Sequence, residues 1–467
     1  MYDGERRELL QGPWLGKVAF SADSAGRPFV HRPGELLVST RELDRVVELG
    51  GGRAERVREV GSLTLLAGVD DVVGLARALR REGVAAQPNH VFFAATGVLA
   101  NPALLANPAL LANPALLANP ALLANPALLA NPALLANPAL LANPALLANP
   151  ALLANPALLA HGQGGCPHCS CFASPMPVVA PEEAPVATNA RACTAPSTLT
   201  ASGTQDGPRV LVLDTGLAAG DFRPAFVGSV QPLRTDDVDH PDEDGDLAID
   251  PAAGHGTFIA GIVERLAPRS PVAVDRVLST FGHGDDADIA AAIDAIDPGD
   301  LPEILNLSFG GYTEDDEPPL ALSESLARVV AHGSVVVASA GNEASCRPSW
   351  PAALPDLVSV GAIGPYGPAP FTNVGRWVRA CAPGVDVVSR FFVPKGGDPS
   401  SLPEDEDGAA FEGWARWSGT SFAAPAVAAA IAARMATGCD ASEAVRRVVD
   451  DPSLLRIQGL GTVVNLA

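Results

Sequence analysis

The chain predicts an α/β protein with a mainly parallel sheet and helices on both faces, preceded by a small ferredoxin-like α+β domain and a repeat or linker region. Three observations carry that prediction. From residue 209, apolar strands such as "RVLVLDTG", "EILNLSFGG" and "GSVVVASAGNE" alternate with helical stretches, the pattern of a parallel sheet. Ahead of them, residues 34–94 read as β-α-β-β-α-β. Between the two, "NPALLA" recurs ten times without change over residues 101–160. The expected units are an N-terminal extension at 1–33, the small domain at 34–94, the repeat and linker at 95–208, and the large domain at 209–467.

At 467 residues with 48% apolar composition, the chain is long enough for two cores. Charge is distributed unevenly. Residues 1–94 balance 13 basic against 13 acidic side chains and residues 95–160 carry none, so the whole net charge of −22 lies on the remainder. Such a surface repels phosphate backbones and argues against a nucleic-acid partner; solubility is the simplest reading of the acidity. No apolar run of about 20 residues marks a membrane span outside the proline-punctuated repeat. The start, "MYDGERRELLQGPWLGKVAFS", has no signal-peptide core, so cytoplasmic residence is the default expectation, with non-classical export left open. Seven cysteines, four of them in one linker-like region, do not form a secreted disulfide framework.

In the small domain, "GELLVST" reads as a strand and "RELDRVVELG" as a short helix. "AERVREVGSLTLLAGV" supplies one or two strands, "DVVGLARALRREG" has helical spacing, and "AAQPNHVFFA" closes with a strand. Nothing in it looks catalytic. Proline at every sixth position of the repeat forbids a continuous helix. Three readings stand for the repeat: a linker grown by duplication, a small solenoid with stacked leucines, or an apolar surface for an unknown partner. Residues 161–208 are Pro-, Ala-, Thr- and Ser-rich, as linkers are. Within them, Cys166, His168, Cys169 and Cys171 are too crowded for an ordinary four-ligand zinc site, and free or mutually oxidised thiols are expected.

The large domain carries the chemistry. Asp214, Asn306, Ser308 and Asn342 all fall at the carboxyl ends of expected strands, where open α/β sheets gather functional groups. Singly, each has an ordinary reading: a turn at Asp214-Thr215-Gly216, a polar helix start at His255, a helix cap at Ser421 with Thr420 available for the same job. The Asp-Thr-Gly triplet also marks aspartic proteases, but that leaves His255 and Ser421 without a role. Together they suit nucleophilic catalysis. A serine hydroxyl needs a nearby base, a histidine takes and returns protons near neutrality, and a buried aspartate fixes the imidazole tautomer. Asp214, His255 and Ser421 occur in that order, 41 and then 166 residues apart.

The segments "VLVLDTG", "GHGTFIAGI", "NLSFGG", "SAGNE" and "GTSFAAP" resemble the signatures of the subtilases, the subtilisin-like serine peptidases, over about residues 207–467. The resemblance implies a subtilisin-like fold and a serine endopeptidase acting on peptide or protein substrates, with Asp214, His255 and Ser421 as triad. It implies that the Asn342 side chain and the Ser421 backbone N–H form the oxyanion hole. It further implies Ser308, Phe309 and Gly310 as an edge that pairs with extended substrate, and Ser339, Ala340 and Gly341 as lining of a pocket with apolar or aromatic preference. Residues 34–94 are similar to the family's propeptide, which would put "NHVFFAATG" in the cleft of a self-inhibited precursor. The missing signal peptide and the repeat depart from the family plan. No cofactor or catalytic metal is expected. A structural calcium at Asp242, Asp244 and Asp246 is one reading of the acidic loop 236–250, a solvated loop the other; the second acidic insertion, "PEDEDG", suits basic residues in a substrate. Two alternatives remain: a dedicated intracellular maturation protease for one partner peptide, and a non-enzymatic repeat-bearing peptide-binding protein.

Overall fold

The computed structural model describes residues 17–48, 54–94, 175–177, 206–245, 247–398, 401–402, 411–464 and 466. The NPALLA repeat, the "CPHCSC" cluster, Asp246 and the "PEDEDG" insertion lie outside the described residues.

The small domain comprises β1 (Ala19–Ala22), β2 (Pro28–Ser39), α1 (Leu43–Glu48), β3 (Glu55–Val60), β4 (Leu63–Ala67), α2 (Val72–Arg81) and β5 (Ala86–Ala94). Its antiparallel order β5-β2-β4-β3 is the ferredoxin-like arrangement, with β1 folded onto the start of β2. The sheet therefore starts at Ala19, not at the residue-34 boundary read from the sequence. β2 runs through the Pro33-Gly34 pair, and its register against β5 shifts there between His31 and Leu36. A bulge tolerates the missing N–H. The Asp71 carboxylate accepts from Gly74 N–H to cap α2, whose Val72, Leu75, Ala76 and Leu79 stripe packs on Leu36, Val38 and Leu66.

The large domain adds β6 (Met176–Pro177), β7 (Val210–Asp214), β8 (Leu217–Ala218), β9 (Val230–Pro232), β10 (Val238–Asp239) and α3 (His255–Leu266). There follow β11 (Val272–Arg276), β12 (His283–Asp285), α4 (Asp286–Asp294), β13 (Ile304–Leu307), β14 (Phe309–Gly310), α5 (Leu320–Ala331) and β15 (Val335–Ser339). The last part holds β16 (Val358–Gly364), β17 (Gly367–Pro368), β18 (Ala380–Pro383), β19 (Val387–Arg390), β20 (Trp414–Trp417) and α6 (Thr420–Met435). It closes with α7 (Ala441–Val445), β21 (Arg456–Ile457) and β22 (Gly461–Val463).

Strands β22-β18-β16-β15-β13-β7-β11-β9 form one parallel sheet, with β21 and β17 antiparallel at its margins. Both faces are covered, so the central strands read as unbroken apolar runs. Val210 and Val212 face α3 and α6, while Leu211 and Leu213 face α4 and α5. The two sheet neighbours of β7 both follow it in the chain and lie on opposite sides of it, β11 on one and β13 on the other. A crevice beyond the carboxyl ends of these strands is the result.

The small domain docks on α4 and α5. Leu37, Val60, Leu63 and Leu65 from its sheet meet Ala287, Ala290 and Ala321. Around that apolar seam, arginines of the small domain meet acids of the large one. The buried Glu314 carboxylate lies 2.6 Å from both Arg77 and Arg80, Arg32 lies 2.8 Å from Asp285, and Arg27 and Arg58 reach Asp316 and Asp288.

His90 on β5 sits in this interface, its Nε2 accepting from Glu314 N–H at 3.1 Å. Burial, then the neighbouring His31, Arg80 and Arg347, holds its imidazole well below the ordinary value of 6.5. His31, itself depressed by burial, donates from Nδ1 to the Arg32 carbonyl. A depressed histidine disfavours the proton in the docked state. The contribution of His90 to docking is thus fully present above about pH 6.5 and is lost as pH falls below it. Hydrogen exchange of Ala86–Ala94, corrected for intrinsic rates, is expected to speed up between about pH 6.5 and 5, and less so in His90→Gln. Protection unchanged across that window would refute the coupling.

Candidate active site

Asp214 ends β7 with its side chain fully buried. Its carbonyl accepts from Val277 and Leu278 N–H, and its Oδ1 accepts from Thr215 N–H at 2.8 Å. The same Oδ1 lies 2.6 Å from His255 Nδ1. His255 is the first residue of α3, and its two glycine neighbours are required by space. A Cβ on Gly254 would fall 2.3 Å from the Phe391 ring, and one on Gly256 would fall 2.3 Å from the Gly216 carbonyl oxygen. Gly254 also has φ +79°, which favours glycine. Trp417 and Phe422 wall the imidazole at 5.4 and 5.3 Å between ring centroids. Among the described residues, the buried His255 Nε2 has no hydrogen-bond partner.

Ser421 is the second residue of α6. Its Oγ donates to the Ser308 carbonyl at 2.9 Å, and Ser308 Oγ donates back to the Ser421 carbonyl at 2.8 Å. That second bond explains Pro425. In an α-helix the Ser421 carbonyl would accept from the N–H four residues on, and proline has none. Ser308 fills the vacancy, with its own oxygen accepting from Asn306 Nδ2 at 2.9 Å. An interior proline thereby couples the start of α6 to the junction of β13 and β14.

Thr420 is not a cap. Gly419 takes the N-cap position without a side-chain bond, and Thr420 holds Asn342. Its N–H and its hydroxyl both donate to Asn342 Oδ1 at 2.9 Å, and the hydroxyl oxygen accepts from Gly341 N–H at 3.1 Å. With the amide oxygen so held, the amide NH2 faces the other way. Asn373, which sequence reasoning missed, braces the same loop. Its Nδ2 donates to the Ala340 carbonyl and to Glu343, and its Oδ1 accepts from Glu343 and Ser345 N–H. No local pattern in "FTNVG" signals that role.

Ser308, Phe309 and Gly310 directly follow the carboxyl end of β13, and β14 pairs antiparallel with β5, Phe309 opposite Ala94 and Gly310 opposite Phe93. On the other side β12 pairs with β5, His283 opposite Phe93, and the Ala94 N–H donates to the Gly282 carbonyl at 2.7 Å. The small domain's last strand thus lies between two strands of the large one. Residues 95–97 of "NHVFFAATG" fall outside the described residues. Ser339 ends β15 and leads through Ala340 and Gly341 to Asn342, all four buried. The Glu343 carboxylate stands close to the Gly341 α-carbon, a polar neighbour that the small side chains did not reveal.

Among the described residues, the carboxylates of Asp242, Asp244 and Asp250 come within 4.8 Å of one another. Asp246, the third acid named from the sequence, lies outside the described residues. These acids also staple their loop: Asp242 accepts from Gly245 and Leu247 N–H, and Asp250 accepts from Glu243 N–H and from Thr280 Oγ1.

The structure thus brings the Asp214 carboxylate onto the His255 imidazole and the Asn342 amide onto Thr420, the residue before Ser421. The profile of the Subtilase family matches residues 205–447, just over half of the chain. The chain belongs to the subtilase family. Relatives include the Thermophilic serine proteinase of Bacillus sp. (strain AK1), 31% identical over 282 residues, covering 55% of this chain and 58% of that protein. Subtilisin DY of Bacillus licheniformis is 29% identical over 238 residues, covering 48% of this chain and 75% of that one. The match therefore spans little more than half the length of the thermophilic relative. A solved cold adapted subtilisin-like serine proteinase aligns with a TM-score of 0.41 at 23% identity, covering 55% of this chain and 86% of that chain. No described helix of this subtilase is long and apolar enough to cross a membrane.

Ser308→Ala is expected to orphan the buried Ser421 carbonyl and to destabilise this subtilase by about 1–3 kcal/mol in urea unfolding. Adding Pro425→Ala restores the helical N–H and should recover part of that loss. Strictly additive losses would refute the explanation of Pro425.

Proposed function

We propose that this chain is a serine endopeptidase, made as a precursor whose small domain occupies its own substrate cleft. The observation that carries the reading is the 2.6 Å contact of Asp214 with His255, together with Ser421 in the first turn of α6. With Nδ1–H donating to Asp214, the neutral imidazole keeps its lone pair on Nε2, an atom with no hydrogen-bond partner among the described residues. The Ser421 hydroxyl turns from the Ser308 carbonyl toward that nitrogen, gives up its proton, and attacks the substrate carbonyl. The imidazolium is stabilised by Asp214, and the proton passes to the leaving amine. The Asn342 NH2 and the Ser421 N–H donate to the developing oxyanion, near the positive end of α6. Water then hydrolyses the acyl-enzyme by the reverse proton path. The reaction needs no cofactor.

Extended substrate adds to β14 by main-chain hydrogen bonds, as β5 does in the structure. Ser339, Ala340 and Gly341 line the pocket for the residue before the scissile bond. Pairing of Phe93 and Ala94 with β14 supports the precursor reading, since the same edge cannot serve a second strand.

Intact mass of wild type beside Ser421→Ala tests this. Wild type is expected to lose its N-terminal segment while Ser421→Ala stays full length. Should both stay whole, wild type trimmed by limited trypsin digestion is expected to hydrolyse a peptide substrate and the variant not. Equal processing of the two proteins, or a trimmed wild type without hydrolysis, would overturn the reading.

A further inference from the structure

We propose that Asp239 is a positioning residue for the Asp214–His255 pair, acting through Thr215 and Gly254. The proposal rests on the serine-peptidase reading above. Asp239 is the last residue of β10 and is fully buried. Its Oδ2 accepts from the Thr215 hydroxyl at 2.6 Å and from Gly254 N–H at 2.9 Å. The Thr215 hydroxyl oxygen accepts in turn from Gly256 N–H at 3.1 Å. Thr215 is the residue after Asp214, and Gly254 and Gly256 flank His255. One carboxyl oxygen therefore ties the end of β7 to the first turn of α3, on both sides of the histidine.

The second carboxyl oxygen, Oδ1, is buried and has no hydrogen-bond partner among the described residues. A buried acid with an idle oxygen breaks a rule of stable interiors, and such breaks belong at functional sites. Burial, chiefly, pushes the Asp239 carboxyl well above the ordinary carboxylate range; the charge of Asp214 acts the same way, against the bonds from Thr215 and Gly254 and the charge of Arg276. Asparagine, whose amide oxygen can accept the same two bonds from Thr215 and Gly254, can therefore stand in for it. No covalent step involves Asp239. It holds the two segments in register, so that the aspartate and the imidazole meet in the plane that proton transfer requires.

The test compares full-length wild type, Asp239→Asn, Asp239→Ala and Thr215→Val, each trimmed by trypsin and assayed on one chromogenic peptide across pH. Asp239→Ala is expected to lower kcat by about 10²-fold with KM little changed, and to move the acidic limb of the kcat profile. Asp239→Asn should recover most of the rate and the wild-type limb. If Asp239→Ala does not fold, Thr215→Val cuts the same link and should reproduce the loss of kcat. A folded Asp239→Ala or Thr215→Val with wild-type kcat overturns the proposal, as does Asp239→Asn as slow as Asp239→Ala. A wild type that hydrolyses nothing would overturn the serine-peptidase reading instead, so the two failures are told apart.

Discussion

The 2.6 Å contact between Asp214 and His255 is the constraint on which the rest of the structure depends. It requires the end of the central strand and the first turn of a helix to meet at one point. The sheet places β7 between β11 and β13, and α3 crosses one face of that sheet against α6. The glycines at 254 and 256 let the backbones approach closely enough. Because α3 packs on α6, fixing His255 over β7 also fixes where Ser421 stands.

A second constraint runs from that serine to the crevice edge. Ser308 and Ser421 exchange two hydrogen bonds, one to each carbonyl, and Pro425 removes the competitor for one of them. The edge strand that follows Ser308 is the one that β5 joins. The geometry of the hydroxyl and the occupancy of the cleft edge are thus linked through a single residue. The docked small domain is held from behind as well, by an alanine-lined seam and by arginines meeting Glu314, Asp285, Asp288 and Asp316. Part of the acidity that looked like general solubility therefore faces arginines of the chain's own small domain.

Much of this was legible in the sequence because the signals are local. Strand runs such as Val210–Asp214 alternate sides on a doubly covered sheet, so their composition announces the parallel core. Asp214, His255 and Ser421 each sit in a short segment with a defined backbone task, and the structure brings Asp214 against His255 and Asn342 beside Thr420. What stayed hidden depends on contacts far apart in the chain. Thr420 passed for a cap because its partner is 78 residues away, and Asp239 passed for one more loop acid because Thr215 is 24 residues away. Asn373 braces a distant loop without a pattern of its own. The start of β2 was misplaced because Pro33-Gly34 punctuates most strands, whereas here a register shift absorbs it.

The most direct measurement is the site of covalent labelling by diisopropyl fluorophosphate, mapped by peptide mass on protein trimmed of its small domain by trypsin. The geometry predicts one adduct, on Ser421, formed far more slowly in His255→Ala. A folded, trimmed protein that takes no adduct, or takes it on another serine at the same rate with and without His255, would contradict the assignment at its root.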